Sequence, residues 1–262
     1  GHRHDEEVAE RVAVEGALIE AILAEAGDEG LDIGASVAVV WDGEMVVDIW
    51  GGHLDVAKTQ PWREDTIVNV FSTTKTMTAL SALILADRGE LEFNARVDRY
   101  WPEFGKPEIE VRHLLGHCAG MSGWEQPLAP EDLADWERCT ELLAAQEPWW
   151  EPGSAPGYHA ITQGYLVGEV IRRITGQSLG AFFAENVAAP LGADFHIGTP
   201  EAVDDRVAPL IPPPPAPEII EALPELGRRT LINPIVTGET SQQIWWRRAE
   251  IPAANGQGNA RS

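Results

Sequence analysis

At 262 residues, with 42 acidic against 19 basic side chains and a net charge of −23, the chain repels a phosphate backbone or an anionic bilayer. Nucleic acid and membrane surfaces are therefore set aside as partners, while 44% hydrophobic and 23% charged residues fit a globular protein with a substantial core. Two cysteines, Cys118 and Cys139, make neither a disulfide framework nor a CxxC zinc site; with no signal peptide and no apolar run of spanning length, they read as reduced residues of a cytoplasmic protein.

Residues 6–26 carry apolar side chains at helical spacing and predict a surface-packed helix. Two apolar stretches, 34–41 and 44–50, flank Asp42-Gly43, a strong hairpin signal. Thr66-Ile67-Val68-Asn69-Val70-Phe71 reads as a buried strand, and residues 76–85 as an apolar helix that Gly89 caps. Shorter and longer helices are expected at 111–117 and 131–146, then an amphipathic one at 165–175 that stops at Gly176. Pro212-Pro213-Pro214-Pro215-Ala216-Pro217 predicts an extended surface segment, and no closing strand or helix is visible after Gly256. This order implies an α+β fold, an antiparallel sheet flanked by helices plus a mostly helical region. The expected division is 1–76 for the N-terminal helix, hairpin and strand, 77–207 for the helical region, and 208–262 for a proline-rich connection returning toward the sheet.

Within Val70-Phe71-Ser72-Thr73-Thr74-Lys75, a serine stands one turn ahead of a lysine. Positions i and i+3 share a helix face, so the two side chains reach one pocket. A serine hydroxyl needs a base to become nucleophilic, and lysine serves only where burial or a neighbouring cation lowers its pKa. The chain has only three lysines, Lys58, Lys75 and Lys106, so one inside an apolar helix asks for a reason. By itself the pair fits equally a capping Ser72 and a snorkelling Lys75. Glu151-Pro152-Gly153-Ser154-Ala155-Pro156-Gly157 is a turn-rich loop that delivers Tyr158, a phenol able to relay a proton or simply to pack its ring.

Taken together, Ser72-Thr73-Thr74-Lys75 after a strand, then Val111-Arg112-His113-Leu114-Leu115-Gly116-His117-Cys118-Ala119-Gly120-Met121, then Pro152-Gly153 before Tyr158, resemble the serine β-lactamase-like superfamily. The likeness runs from about residue 30 to 210, and the branch holding class C β-lactamases, DD-peptidases and family VIII carboxylesterases is the most similar. It implies a β-lactamase/transpeptidase-like fold, with Ser72 as acylated nucleophile and half of the oxyanion hole through its backbone N–H. Lys75 would be the base and Tyr158 the acid/base for the leaving group. The lactamase branch has Tyr-x-Asn where this chain has Tyr158-His159-Ala160; losing that amide fits the esterase-like members better. The late Lys-Thr-Gly, His-x-Gly or Trp-x-Gly motif has no clear counterpart: His196-Ile197-Gly198 comes early, and Val236-Thr237-Gly238 lacks a cation. Members are longer, so the resemblance leaves two expectations: a fragment that a second segment or chain completes, or a naturally incomplete relative.

His113 and His117 have the spacing of a zinc helix but lack the intervening glutamate, so no metal and no cofactor is expected. Trp124, Trp150 and His159 are candidates for the substrate pocket, with Trp149 beside them, and core packing is the more common use of such tryptophans. The reading is a serine hydrolase acting through an acyl-enzyme on a small-molecule ester or amide, foremost a carboxylic ester with a small or medium acyl group. The alternatives are a D-amino-acid peptidase or penicillin-recognising enzyme, and a non-catalytic binding module of the same fold.

Overall fold

A computed structural model describes residues 33–212 and 217–262. The helix expected at 6–26 and most of the proline run lie outside the described residues. The described residues divide into two compact units, one of 33–68, 202–211 and 258–262, the other of 69–201, 212 and 217–257.

In the first unit, β1 (Gly34–Trp41) and β2 (Glu44–Gly52) pair antiparallel with a bulge at Val39/Val40. Asp42 and Gly43 both take positive φ, the requirement of the two-residue turn expected there. Arg261 ties the hairpin down: its guanidinium reaches Asp48 at 2.8 Å and Glu64 at 2.7 Å and lies over the Trp50 ring. The strand expected at 66–71 is much shorter. Ile67 is fully buried and bridges Val207, and only β3 (Val68–Asn69) is regular. Val70 and Phe71 turn away because Phe71 adopts φ +45°, which ends extended backbone.

The second unit is helical, and its core is one cluster that includes Trp101, Phe104, Leu114, Met121, Tyr165 and Phe183. Each such side chain contributes about 1.5–3 kcal/mol through removal from water. Helix α1 (Thr74–Asp87) ends as expected at Gly89, φ +73°, with Gly89 N–H on Ala86 O and Glu90 N–H on Leu85 O. Helix α2 (Val111–Leu115) stops before His117, whose φ of +59° is not helical. The helix expected at 131–146 is split: a 3₁₀ turn (Pro130–Ala134) precedes α3 (Trp136–Ala145), which Asp135 caps by accepting from Arg138 N–H. Lys106, buried, donates to Phe104 O and to Leu143 O in the last turn of α3.

Helix α4 (Thr162–Thr175) is more central than an amphipathic reading implies, for every residue from Thr162 to Ile171 is buried. Gly164 and Gly168 allow this: a Cβ on the first would meet Ala253 N at 2.6 Å, and on the second the Trp136 ring at 2.6 Å. Glu169, turned inward, is satisfied by Arg172, Arg173 and Trp136. After α5 (Leu179–Phe183) and β4 (Phe195–His196) the second unit resumes with four short helices. These are α6 (Pro217–Glu221), α7 (Glu225–Ile232), α8 (Gly238–Gln242) and α9 (Ile244–Arg248). Asn233 docks this excursion, donating to Trp124 O and Gln126 O and accepting from Leu128 N–H, each at 2.8 Å. The chain then enters a buried strip, residues 251–257, that leads into β5 (Gln257–Gly258); the strands lie in the order β3-β5-β4. No described helix is long and apolar enough to cross a membrane.

Candidate active site

Ser72 sits in a 3₁₀ turn, Phe71–Thr73, that runs directly into α1, so Ser72 and Lys75 share one face as their spacing predicts. Left-handed backbone at Phe71, immediately before Ser72, is strain of the kind that collects at functional sites. Thr74 steadies the turn: its hydroxyl donates to Phe71 O at 2.6 Å and accepts from Gly256 N–H at 2.9 Å. Ser72 itself is exposed.

Lys75 Nζ lies 3.3 Å from Ser72 Oγ and donates to two backbone carbonyls, Ala160 O and Ala253 O, each at 2.8 Å. No carboxylate pairs with it among the described residues. Burial pushes the ammonium below the usual lysine range, and the Tyr158 oxygen offsets only part of that. The Tyr158 hydroxyl donates to Ser72 Oγ at 2.8 Å, and Nζ stands 4.9 Å from the Tyr158 ring centre. The three residues expected to act together therefore meet at one oxygen atom.

A strip of backbone, His117 to Met121, fixes the Tyr158 loop. His117 O accepts from Gly157 N–H, Cys118 O from Gly153 N–H, and Gly120 O from Trp149 N–H, at 2.7–2.9 Å. Side chains continue the seam: His159 N–H donates to His117 Nδ1 at 3.0 Å, and Met121 N–H to His159 Nε2 at 3.1 Å. His159 Nδ1 donates to Gly157 O, so this imidazole is neutral with both nitrogens engaged; burial holds its pKa down at about 4.

Two of the pocket candidates lie in the interior, Trp124 in the core-packing role weighed beside the pocket one. His159 is fully buried and braces the loop, because the neutral ring satisfies two backbone groups that water cannot reach. Trp124 is a core residue, edge-on to Tyr165 with its Nε1 donating to Cys139 O. Trp150 is half-buried, stacks edge-on against His159 and donates to Ala155 O, while Trp149 lies under the Arg229 guanidinium. Of the triplets weighed as the late motif, His196 bonds Asp194, and Thr237 caps α8. His113 and His117 do not share a helix face, and the described residues hold no cluster able to bind a metal.

Sequence reasoning missed three contributors. Ala160 O and Ala253 O act through backbone carbonyls, which residue identity does not announce. His117 carried a usable signal, since Gly116 and Gly120 bracket it and mark a turn rather than a helix face.

Residues 19–262 match the family model described as Beta-lactamase. The chain belongs to the beta-lactamase family. The esterase/beta-lactamase LipL of Mycobacterium tuberculosis is 38% identical over 247 residues, 87% of this chain and 56% of that protein. The crystal structure of a family VIII carboxylesterase superposes with a TM-score of 0.86 at 42% identity, covering 94% of this chain and 66% of the other. A penicillin-binding protein homolog from Caulobacter crescentus gives a TM-score of 0.80 at 36% identity, covering 93% and 66%. This beta-lactamase-family chain thus spans between about half and two thirds of the length of these relatives. The fold is the β-lactamase/transpeptidase-like one that the motifs imply.

Proposed function

We propose that the chain carries the acylation centre of a serine hydrolase that cleaves carboxylic esters with small or medium acyl groups. The observation that carries this reading is the convergence of Lys75 Nζ and Tyr158 Oη on Ser72 Oγ. A neutral lysine has two N–H bonds and one lone pair. Ala160 O and Ala253 O take the two N–H bonds, which turns the lone pair toward Ser72. In acylation, the Ser72 proton passes to Nζ as Oγ attacks the ester carbonyl. Tyr158 then gives its proton to the departing alkoxide and recovers one from Lys75. Water enters by the reverse route and releases the acid. The Ser72 N–H supplies one oxyanion donor.

Ala160 stands where the lactamase branch presents an asparagine amide, which favours an ester over an amide substrate. The esterase and carboxylesterase relatives support the same choice. The penicillin-binding relative favours a second reading, slow acylation by a β-lactam or D-amino-acid peptide.

Hydrolysis of a p-nitrophenyl ester and the intact mass after a fluorophosphonate probe test the proposal. One adduct at Ser72, with turnover lost in Ser72→Ala, is expected. Full turnover in Ser72→Ala overturns it, and stable labelling by a fluorescent penicillin without ester turnover favours the second reading.

A further inference from the structure

His117 touches the loop that carries Tyr158 on both sides of the phenol. Its carbonyl accepts from Gly157 N–H at 2.9 Å, and its Nδ1 accepts from His159 N–H at 3.0 Å. Between these two bonds its ring lies against the Tyr158 ring, centroids 4.8 Å apart and planes 48° inclined. One residue therefore fixes the main chain before and after Tyr158 and one face of its ring. Placing it there costs strain, since φ of +59° is unusual for a side chain with a Cβ.

We propose that His117 is a positioning residue for the reaction, holding the Tyr158 hydroxyl on Ser72 Oγ only while its own imidazole is neutral. This rests on the acylation reading given above.

The chemistry follows from the direction of one hydrogen bond. A nitrogen that accepts from a backbone N–H carries no proton, so the neutral ring is protonated at Nε2. Protonation at Nδ1 sets two donors against each other and removes the clamp on the His159 side. The groups facing the ring are Lys75 from α1 and Tyr158 and His159 from the loop. None of them is an anionic partner for an imidazolium, and no carboxylate pairs with His117 among the described residues. Burial, and then the Lys75 charge, hold its pKa below the usual 6.5. The clamp is thus closed at neutral pH and opens as pH falls through that lowered value. His159 titrates lower, at about 4, and its ring faces Met121 and Gly157.

Two substitutions separate positioning from folding, because both residues tolerate the left-handed backbone. His117→Asn keeps an acceptor oxygen near the position of Nδ1 but does not titrate. His117→Gly removes the acceptor and the ring. Ester turnover would be measured from pH 5 to 9 for both variants, wild type and Ser72→Ala, with the fluorophosphonate labelling rate of Ser72 measured in parallel.

The expected result is a kcat lowered about a hundredfold in His117→Gly, the scale of a misplaced reacting group, with KM changed far less. His117→Asn is expected to keep wild-type kcat at pH 8 and to lose the fall in rate on the acid side. Wild-type turnover in His117→Gly overturns the proposal. So does a wild-type acid limb in His117→Asn, which assigns that limb to Lys75. An inactive His117→Asn with native circular dichroism also overturns it, since the acceptor is then insufficient. If instead Ser72→Ala turns over ester like wild type, the acylation reading fails; its failure is read from that variant alone.

Discussion

Lys75 Nζ donates to the carbonyl of Ala253 at 2.8 Å, across 178 residues of chain. This contact joins the nucleophile's helix to the buried strip that precedes β5. The strip also takes Thr78 through Pro252 O, and Gly256 holds Val70 and Thr74. The environment of the base is therefore built from two carbonyl oxygens, which accept N–H bonds without adding a full negative charge. A carboxylate in the same place would raise the lysine pKa and hold it protonated.

Lys75→Arg tests that arrangement. A guanidinium stays protonated at any working pH, so it preserves charge and removes the base. The expected loss in kcat is about 10²–10⁴-fold, the usual contribution of a positioned general base. In the wild-type protein the neutral amine gains population as pH rises through a value below the usual 10.5, so the rate rises with pH there. Arginine is expected to abolish that rise, and steady-state kcat from pH 6 to 10 reads it.

Gly164→Ala acts on the same contact from the other side. The added Cβ meets Ala253 N at 2.6 Å and Pro252 C at 2.8 Å, backbone atoms that cannot rotate away. The strip must shift, and Ala253 O moves off Lys75. Overpacking of this kind costs about 1–3 kcal/mol, and kcat is expected to fall with the melting temperature. Gly168→Ala, one turn along, meets the Trp136 ring instead and is expected to lower the melting temperature with kcat largely unchanged.

The legible parts of the chain were those with local chemistry. Asp42-Gly43 marks a turn by its positive-φ requirement, Gly89 and Gly176 end helices by the same requirement, and the Ser72–Lys75 spacing places two side chains on one face. Tyr158 was legible through its turn-rich loop but not through any contact. The splitting of the 131–146 helix was hidden because Asp135 reads as an ordinary exposed residue until its cap geometry is seen. The buried strip at 251–257 had no pattern of its own; small residues entering a groove between α1 and α4 leave no periodicity. His159 was misplaced because its neighbour Tyr158 faces the site, while the alternation of an extended loop turns His159 to the interior.

His159 gives the stability a pH dependence. Its folded pKa of about 4 lies below the unfolded 6.5, so the unfolded chain takes up the proton first. Stability is then complete above pH 6.5 and declines as pH falls toward 4, by about 3 kcal/mol from this group. His117, also lowered, has the same sign. Urea unfolding at pH 7.5, 6 and 5 is expected to show this slope, and His159→Gln to start lower but change less. Equal slopes in the two proteins would assign the dependence elsewhere.

Asn233 separates the stability of the helical excursion from the chemistry at Ser72. Its amide makes all three of its contacts with the backbone of residues 124–128, donating twice and accepting once. Asn233→Ala leaves two carbonyls and one N–H without that partner, at about 1 kcal/mol or more apiece where water does not replace it. The Ser122–Thr230 hydroxyl bond and the Arg229–Glu125 ion pair remain, so α7 stays tethered while the segment just after it loses its anchor. Faster proteolytic nicking within 217–248 is expected, with kcat on a small p-nitrophenyl ester preserved, because none of the groups on Ser72 Oγ comes from this excursion. A matching loss of turnover would place the excursion in the substrate pocket, and comparison of short and long acyl esters would then locate which end of the substrate it contacts.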